Sequence, residues 1–314
     1  MTPVRLVFID GIPGSGKSTT AQRLCLHLAS LGARARWWYE HEQGHPVLDD
    51  AQVRSIRTGA GDAAGLFARA LDGWSELAAA CGGGGTVILE STLFQTTVGT
   101  QLLLDWPRGE IDAHFDRTLE RIEPLAPALI HLRAAEPDDA LRRICAERQP
   151  WFEQFLLEQL RVTPRGRRLG RITFSEVLEY FRDVREVSDG MFARFQGLKL
   201  SRDPLGNAWP QTYRSITDLL GLPPMTPLAP PSRPGDYTGR FRAEGTGDEW
   251  EFEDRGGELF FAGYSRGRLL PCGGDRFAVE GVCVEVMFER EGGAVGSLRC
   301  SGALPGLARR WLRV

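Results

Sequence analysis

The sequence predicts an α/β domain, a parallel sheet with helices on both faces, followed by a small antiparallel β module. Three observations carry this. Over residues 1–221, short apolar runs alternate with stretches of helical periodicity, the pattern of βαβ units. A proline-dense segment, 222–234, then interrupts that pattern and reads as an extended, semi-rigid linker. Beyond it, residues 235–314 give short alternating runs between glycine pairs, the grammar of a barrel or sandwich. A length of 314 residues agrees, since domains average roughly 150 residues.

Taken in order, residues 4–10 (Val-Arg-Leu-Val-Phe-Ile-Asp) are a short apolar run stopped by glycine, as a buried parallel strand requires. Ala21, Leu24, Leu28 and Leu31 recur at helical spacing, and Gly32 closes that helix. Residues 34–39 form a second strand that ends at Glu40. Helical text runs over 49–81 and stops at the glycine run 82–85, a flexible turn. Residues 86–89 are a third strand leading into Glu90-Ser91-Thr92. A helical stretch over 93–123, a strand at 128–132 and a helix over 137–148 follow. Residues 149–195 are mostly helical and Arg-rich, a candidate lid. A last strand at 198–200 precedes a helix over 212–220.

Composition narrows the function. Acidic side chains number 41 against 38 basic, a net charge of −3, which argues against a dedicated nucleic-acid binder. Apolar residues make up 42%, which excludes disorder. No apolar run reaches the roughly 18–20 residues of a membrane helix. The six cysteines (25, 81, 145, 272, 283, 300) lack CxxC spacing and read as small buried hydrophobes. With no signal-peptide pattern at the start, the expected address is the cytoplasm. Only Lys17 and Lys199 are lysines among the basic residues. A chain that writes nearly every positive charge as Arg, yet keeps Lys17, needs an ammonium there.

Lys17 belongs to Gly11-Ile-Pro-Gly-Ser-Gly16-Lys17-Ser18, a GxxxxGK[ST] match between a strand and a helix. Glycines let successive backbone N–H groups curl around an anion, and the following helix adds its positive end. The Lys17 ammonium reaches β- and γ-phosphates, and the Ser18 hydroxyl is a ligand for Mg²⁺. Gly11, Pro13, Gly14, Ser15, Gly16, Lys17, Ser18 and Thr19 are therefore the expected ATP-binding set. A GTPase would carry an Asn-Lys-x-Asp motif, whereas the lone Asn207 is followed by Ala-Trp-Pro. No LSGGQ-like signature of a transporter ATPase is present.

Several passages share this theme: Phe8-Ile9-Asp10-Gly11, Gly16-Lys17-Ser18-Thr19-Thr20, Glu40, Glu90-Ser91, and Ala140-Leu-Arg-Arg-Ile144 followed by Arg148. On these residues the first 220 or so resemble the thymidylate-kinase and deoxynucleoside-kinase branch of P-loop kinases. The resemblance implies an acidic residue after strand two or three that takes the acceptor's proton or holds Mg²⁺. It also implies lid arginines that clamp phosphates. Glu90 is followed directly by Ser91, without the intervening Arg of deoxynucleoside kinases, so the acceptor class stays open. Residues from Tyr237 to Phe288 loosely resemble the small β domain appended to some beta-lactamase-related serine hydrolases, which implies a barrel-like fold and no catalytic role. Such a module could cover the acceptor site, mediate homodimerisation or bind another ligand.

The residues themselves support the same roles. In a doubly wound sheet, ligands gather at the carboxyl ends of the strands, where Asp10, Glu40 and Glu90 fall. Glu40 is the expected base, with Glu42 or, in reversed roles, Glu90 as alternatives. Glu90, Ser18 and Asp10 are the expected metal or metal-water ligands, and Asp10 also a candidate to orient the loop. His41 and His45 could contact an acceptor, but His45-Pro46 breaks the helix that a zinc pair would need. Trp37, Trp38 and Tyr39 alternate across a strand, packing in the core or stacking on an acceptor. Arg143 and Arg148, then Arg161, Arg165, Arg167, Arg168 and Arg171, are candidate phosphate clamps. Together these predict Mg²⁺-assisted phosphoryl transfer from ATP to a hydroxyl of a small molecule. The alternative is a P-loop regulatory NTPase or nucleotide-binding protein whose β module binds a partner.

Overall fold

The computed structural model describes residues 4–81, 84–148, 150–203, 209–226, 228–262, 267–302 and 310–314. Gly82 and Gly83 of the glycine run, and Asn207, lie outside them. The chain divides into two units, Met1–Glu40 with Gly44–Met225, and His41–Gln43 with Thr226–Val314. No helix among the described residues is long and apolar enough to cross a membrane. All six cysteines are free thiols, and Cys81, Cys145 and Cys300 are buried.

The strands of the first unit are β1 (Leu6–Gly11), β2 (Ala35–Trp38), β3 (Thr86–Glu90), β4 (Ala128–Leu132) and β5 (Leu198–Arg202). All pair in parallel, in the order β2-β3-β1-β4-β5. Alternation along the buried central strand sorts its side chains between two cores. Leu6 and Phe8 face a layer formed by α2 (Asp50–Arg57), α3 (Ala63–Ala80), α5 (Arg108–Ile122) and α9 (Phe174–Arg194). Val7 and Ile9 face α1 (Lys17–Ser30) and α10 (Trp209–Leu220). Trp38 and Trp37 likewise pack on opposite faces. Within α1, Ala21, Leu24 and Leu28 are buried as their spacing predicts, while Leu31 is exposed.

Several long helical stretches are broken where local chemistry demands it. The helix expected over 49–81 is two helices, separated by Thr58-Gly59-Ala60-Gly61. Each restarts on an aspartate cap: Gln52 N–H donates to Asp49 and Gly65 N–H to Asp62, both at 2.8 Å. The stretch over 93–123 begins as a π-helical turn, Thr92–Val98, runs into α4 (Gly99–Leu103), and breaks at Asp105, whose φ is 56°. The Arg-rich stretch is α7 (Pro150–Arg161), α8 (Pro164–Leu169) and α9. Prolines open the first two, and a Thr173–Glu176 capping box opens the third. These helices and α6 (Pro137–Arg148) share a third core around Leu141, Phe152, Leu160 and Phe181.

Among its described residues the second unit has eight strands: β6 (Gly239–Ala243), β7 (Glu249–Arg255), β8 (Glu258–Phe261), β9 (Leu269–Pro271), β10 (Arg276–Val279), β11 (Val284–Glu291), β12 (Ala294–Gly302) and β13 (Arg310–Arg313). Chain neighbours are sheet neighbours, and β6 pairs with β13. The two ends of the sheet meet through a Phe260–Arg268 bridge and a 2.6 Å bond from Phe261 N–H to the Gly267 carbonyl. The meander thus closes into an up-and-down barrel, which removes both open edges. Its interior is filled by Phe241, Phe252, Phe277, Phe288 and Trp311, a packed core of the kind that small barrels form. At one end Arg290 joins Asp236, Asp275 and the Tyr237 hydroxyl, pinning the turn Pro234–Tyr237 to the barrel.

Candidate active site

The loop Gly11–Ser18 joins the central strand to α1. Gly16, at φ 84°, is the N-cap of α1; it offers no side chain to the first turn, and no acid follows in that turn. The leading N–H groups of α1 are therefore left for an anion. A Cβ on Gly16 would lie 2.5 Å from the Trp209 ring, and one on Gly11 2.4 Å from the Leu132 carbonyl oxygen. Glycine is required at both positions. Lys17 is buried, and its Nζ donates to the Ile12 carbonyl at 2.9 Å, which holds the ammonium across the mouth of the loop. Burial lowers the Lys17 pKa, and Glu40, Asp10 and Glu90 oppose that shift.

Sheet register brings the acids together: Ile9 pairs with Glu90 and Asp10 with His131 at the carboxyl edge. Asp10 is fully buried, and its carboxylate accepts four backbone N–H bonds, from Gly11, Leu93, Phe94 and Gln95, at 2.9–3.1 Å. Burial raises its pKa. Those bonds tie the phosphate loop to the π-helical turn, which favours an orienting role for Asp10 over a metal-ligating one. Glu90 is also fully buried. Burial first, then Glu40, push its pKa up to about 8, against a hydrogen bond from Ser18. Its Oε1 accepts the Glu40 N–H at 3.4 Å, and its Oε2 has no hydrogen-bond partner.

That orphaned, buried carboxylate oxygen beside the Ser18 hydroxyl is a donor set suited to a hard divalent cation such as Mg²⁺. Among the described residues no cluster of three or more His, Cys, Asp and Glu side chains could hold a metal ion. Mg²⁺ needs no such cage, because it is commonly held by one or two protein oxygens together with substrate phosphates.

Glu40 follows β2, and the Gln95 amide donates to its Oε2 at 2.9 Å. Sequence reasoning did not single out Gln95. Its position depends on two features with no local signature, the π-helical geometry of Thr92–Val98 and the left-handed conformation of Ser91, φ 56°. Ser91 turns the chain immediately after Glu90, and its own hydroxyl is buried without a partner.

The histidines divide by role. His45 Nδ1 accepts the Val47 and Leu48 N–H groups at 3.3 and 3.1 Å, and Nε2 lies 3.4 Å from the Thr92 hydroxyl. Burial lowers its pKa to about 4, so it is a neutral cap for the turn before α2. His41 and Glu42 fall in the second unit.

Among the arginines, Arg148 lies close enough to Lys17 to lower its pKa, with its guanidinium 4.6 Å from the Phe152 ring centre. Arg143 faces solvent beside Glu147, at 3.6 Å. The later run, free of acids in sequence, finds them in space. Arg165 pairs with Asp183 at 2.5 Å, Arg168 with Asp105 at 2.6 Å, and Arg161 with Glu158 at 2.5 Å. Arg167 donates to the Thr58 carbonyl. Arg171 lowers the Glu176 pKa only as a minor contributor.

No protein-family model matches this chain, and no curated protein matches its sequence. Solved structures similar to part of it include three kinase or nucleotide-bound proteins. The YorR protein of Bacillus subtilis, in complex with phosphorylated GDP, is 15% identical with a TM-score of 0.40, over 69% of this chain and 95% of that one. An unliganded sugar kinase of Janibacter is 15% identical with a TM-score of 0.37, over 71% and 97%. Deoxyadenosine kinase of M. mycoides, with bound dATP, is 15% identical with a TM-score of 0.40, over 69% and 99%.

Proposed function

We propose that the first unit catalyses Mg²⁺-assisted transfer of the γ-phosphoryl group of ATP to a hydroxyl of a small molecule, in the cytoplasm. One observation carries this reading. A glycine-capped helix start, a buried Lys17 ammonium and an orphaned Glu90 oxygen converge at the carboxyl edge of the sheet, beside Glu40. Phosphoryl transfer needs placement and charge neutralisation more than covalent chemistry from the protein.

In this assignment the uncapped N–H groups at the start of α1 and the Lys17 ammonium hold the triphosphate. Ser18 and Glu90 would hold Mg²⁺, which supplies charge neutralisation on the phosphate oxygens. Glu40, fixed by Gln95, accepts the proton of the acceptor hydroxyl. That oxygen forms the new bond to phosphorus, and the bond to the β-phosphate oxygen breaks with its electron pair leaving on ADP. Arg148, near Lys17, adds positive charge at the phosphates, whereas Arg143 has no part. Calorimetric titration with Mg·ATP is the direct test. Wild-type protein binds with measurable heat and Lys17→Ala protein does not; equal binding by the two would remove the assignment.

A further inference from the structure

A cavity of about 20 Å³ opens beside the phosphate loop, large enough for one water-sized group. Gly11 and Ile12 of the loop form one wall, Gln95 a second, and α9 a third through Tyr180 and Ser188. His131, at the end of β4, completes it. The cavity is polar where it should be dry. His131 and Ser188 are 4% and 2% exposed, yet His131 Nδ1 and the Ser188 hydroxyl have no hydrogen-bond partner, and neither has Gln95 Oε1. Such groups cost roughly 1–3 kcal/mol each when left unsatisfied. The His131 ring is also fixed, lying edge-on to Phe94 at 5.3 Å and against Phe192 at 5.7 Å.

The chemistry of these groups restricts what enters. Gln95 Oε1 only accepts, so the occupant must donate, which an ionised carboxylate or phosphate cannot do. Arg133 and Arg185 also line the cavity, and both pair with Asp189, at 2.8 and 3.6 Å, so the charge around it is balanced and favours neither a cation nor an anion. Their charge is tied to α9 and the β4 end: Arg133 binds Asp189 through two nitrogens at 2.8–3.1 Å, and Arg185 donates to the Ala135 carbonyl at 2.5 Å. An uncharged hydroxyl, donor and acceptor at once, meets every requirement, as does a water that such a hydroxyl would displace.

We propose that this cavity is the acceptor subsite and receives a second, non-reacting hydroxyl, so that the acceptor is a neutral polyhydroxylated molecule, a polyol or a sugar. The inference rests on the phosphotransferase reading and deepens it. Gln95 is the link, because it lines the cavity, its oxygen is buried without a partner and its nitrogen holds Glu40 at 2.9 Å. Gln95 is thus a positioning residue that aligns the base when the acceptor's second hydroxyl is seated.

The test is an NMR titration of the full chain labelled in its histidine rings, with the His131 signals assigned through His131→Asn protein. Glycerol and ribose are the neutral probes, glycerate and ethanolamine the charged ones. The expected result is a saturable shift of the His131 ring signals with at least one neutral probe and none with the charged pair. Ser188→Ala is expected to weaken the neutral probe about tenfold, the loss of one hydrogen bond. A saturable shift with glycerate or ethanolamine, or none with either neutral probe, overturns the proposal. Mg·ATP titration of the same samples separates the two readings. ATP binding with a silent His131 sinks only the acceptor assignment, whereas a responsive His131 without ATP binding sinks the phosphotransferase reading.

Discussion

The two units treat buried polarity differently. In the β barrel, among the described residues, every buried side-chain polar atom has a hydrogen-bond partner, and the interior is aromatic. In the α/β unit, unpartnered atoms lie on Ser15, Glu90, Ser91, Gln95, His131 and Ser188 around the carboxyl edge of the sheet, and on Thr20, Trp37, Gln101, Arg165 and Thr212 elsewhere. A buried polar group without a partner is destabilising, so a cluster of them marks a region shaped for something other than stability. The two lysines repeat the contrast within one unit. Lys199 donates to three carbonyls at the end of α9, at 2.8–3.0 Å, and closes that helix. Lys17 donates to one, the Ile12 carbonyl at 2.9 Å in the turn between β1 and α1.

The largest effect expected from that contrast is on turnover. Lys17→Ala should reduce ATP consumption by about 10³-fold, in line with removal of one preorganised electrostatic contact, while the denaturant midpoint of the barrel unit stays in place. Next comes its counterpart in the other unit. Phe252 is 2% exposed among Phe241, Phe261 and Phe288, so Phe252→Ala should cost about 3 kcal/mol in chemical denaturation with Mg·ATP affinity unchanged. If Phe252→Ala weakened ATP binding as strongly as Lys17→Ala, the division of labour between the units would be wrong.

Much of this was legible in the chain. Strand and helix periodicity placed all five parallel strands, because each is a short apolar run bounded by turn residues. The turn from β1 into α1 was legible because its glycines and Lys17 lie within eight residues of one another. What the text did not show is non-local. Gln95 meets Glu40 across 55 positions, through a π-helical turn for which no periodicity exists. The Arg-rich run looked unpaired because Asp105 and Asp183, its partners, stand 63 and 18 positions away. Closure of the barrel likewise depends on pairing the first and last strands of the module, which alternation along either strand leaves open.

A smaller effect separates the two units by pH. The Glu90 pKa is about 8 in the folded protein because burial and Glu40 disfavour its charge. A folded-state pKa above the unfolded one means that the native state holds the extra proton between the two values. Stability from this group is therefore complete below about pH 4.5 and declines as pH rises toward 8. The buried His45, His114 and His131, each held near 4 by desolvation, act in the opposite sense and lose stability as pH falls below about 6.5. Subtracting the profile of Glu90→Gln isolates the carboxylate, and the difference should grow by on the order of 3 kcal/mol from pH 5 to 8. Excess Mg·ATP should flatten it, since a cation beside Glu90 stabilises the charged form; a difference that ignores Mg·ATP would place the metal elsewhere.

The smallest effect tests whether the edge of the sheet carries strain for the sake of the site. Ser91 occupies the left-handed region at φ 56° with its hydroxyl buried and unpartnered. That conformation costs a non-glycine residue on the order of 1 kcal/mol, and the lone hydroxyl adds a similar burden. Ser91→Gly removes both but loosens the unfolded chain by roughly 0.5–1 kcal/mol, so the net gain in stability should be about 1 kcal/mol. Turnover should fall severalfold at the same time, because a freer residue 91 no longer fixes the direction of Glu90 or the start of the turn that carries Gln95. A variant more stable and less active matches an edge built for function. One that loses stability would show that Ser91 serves the fold, and would put this turn on the same footing as the barrel.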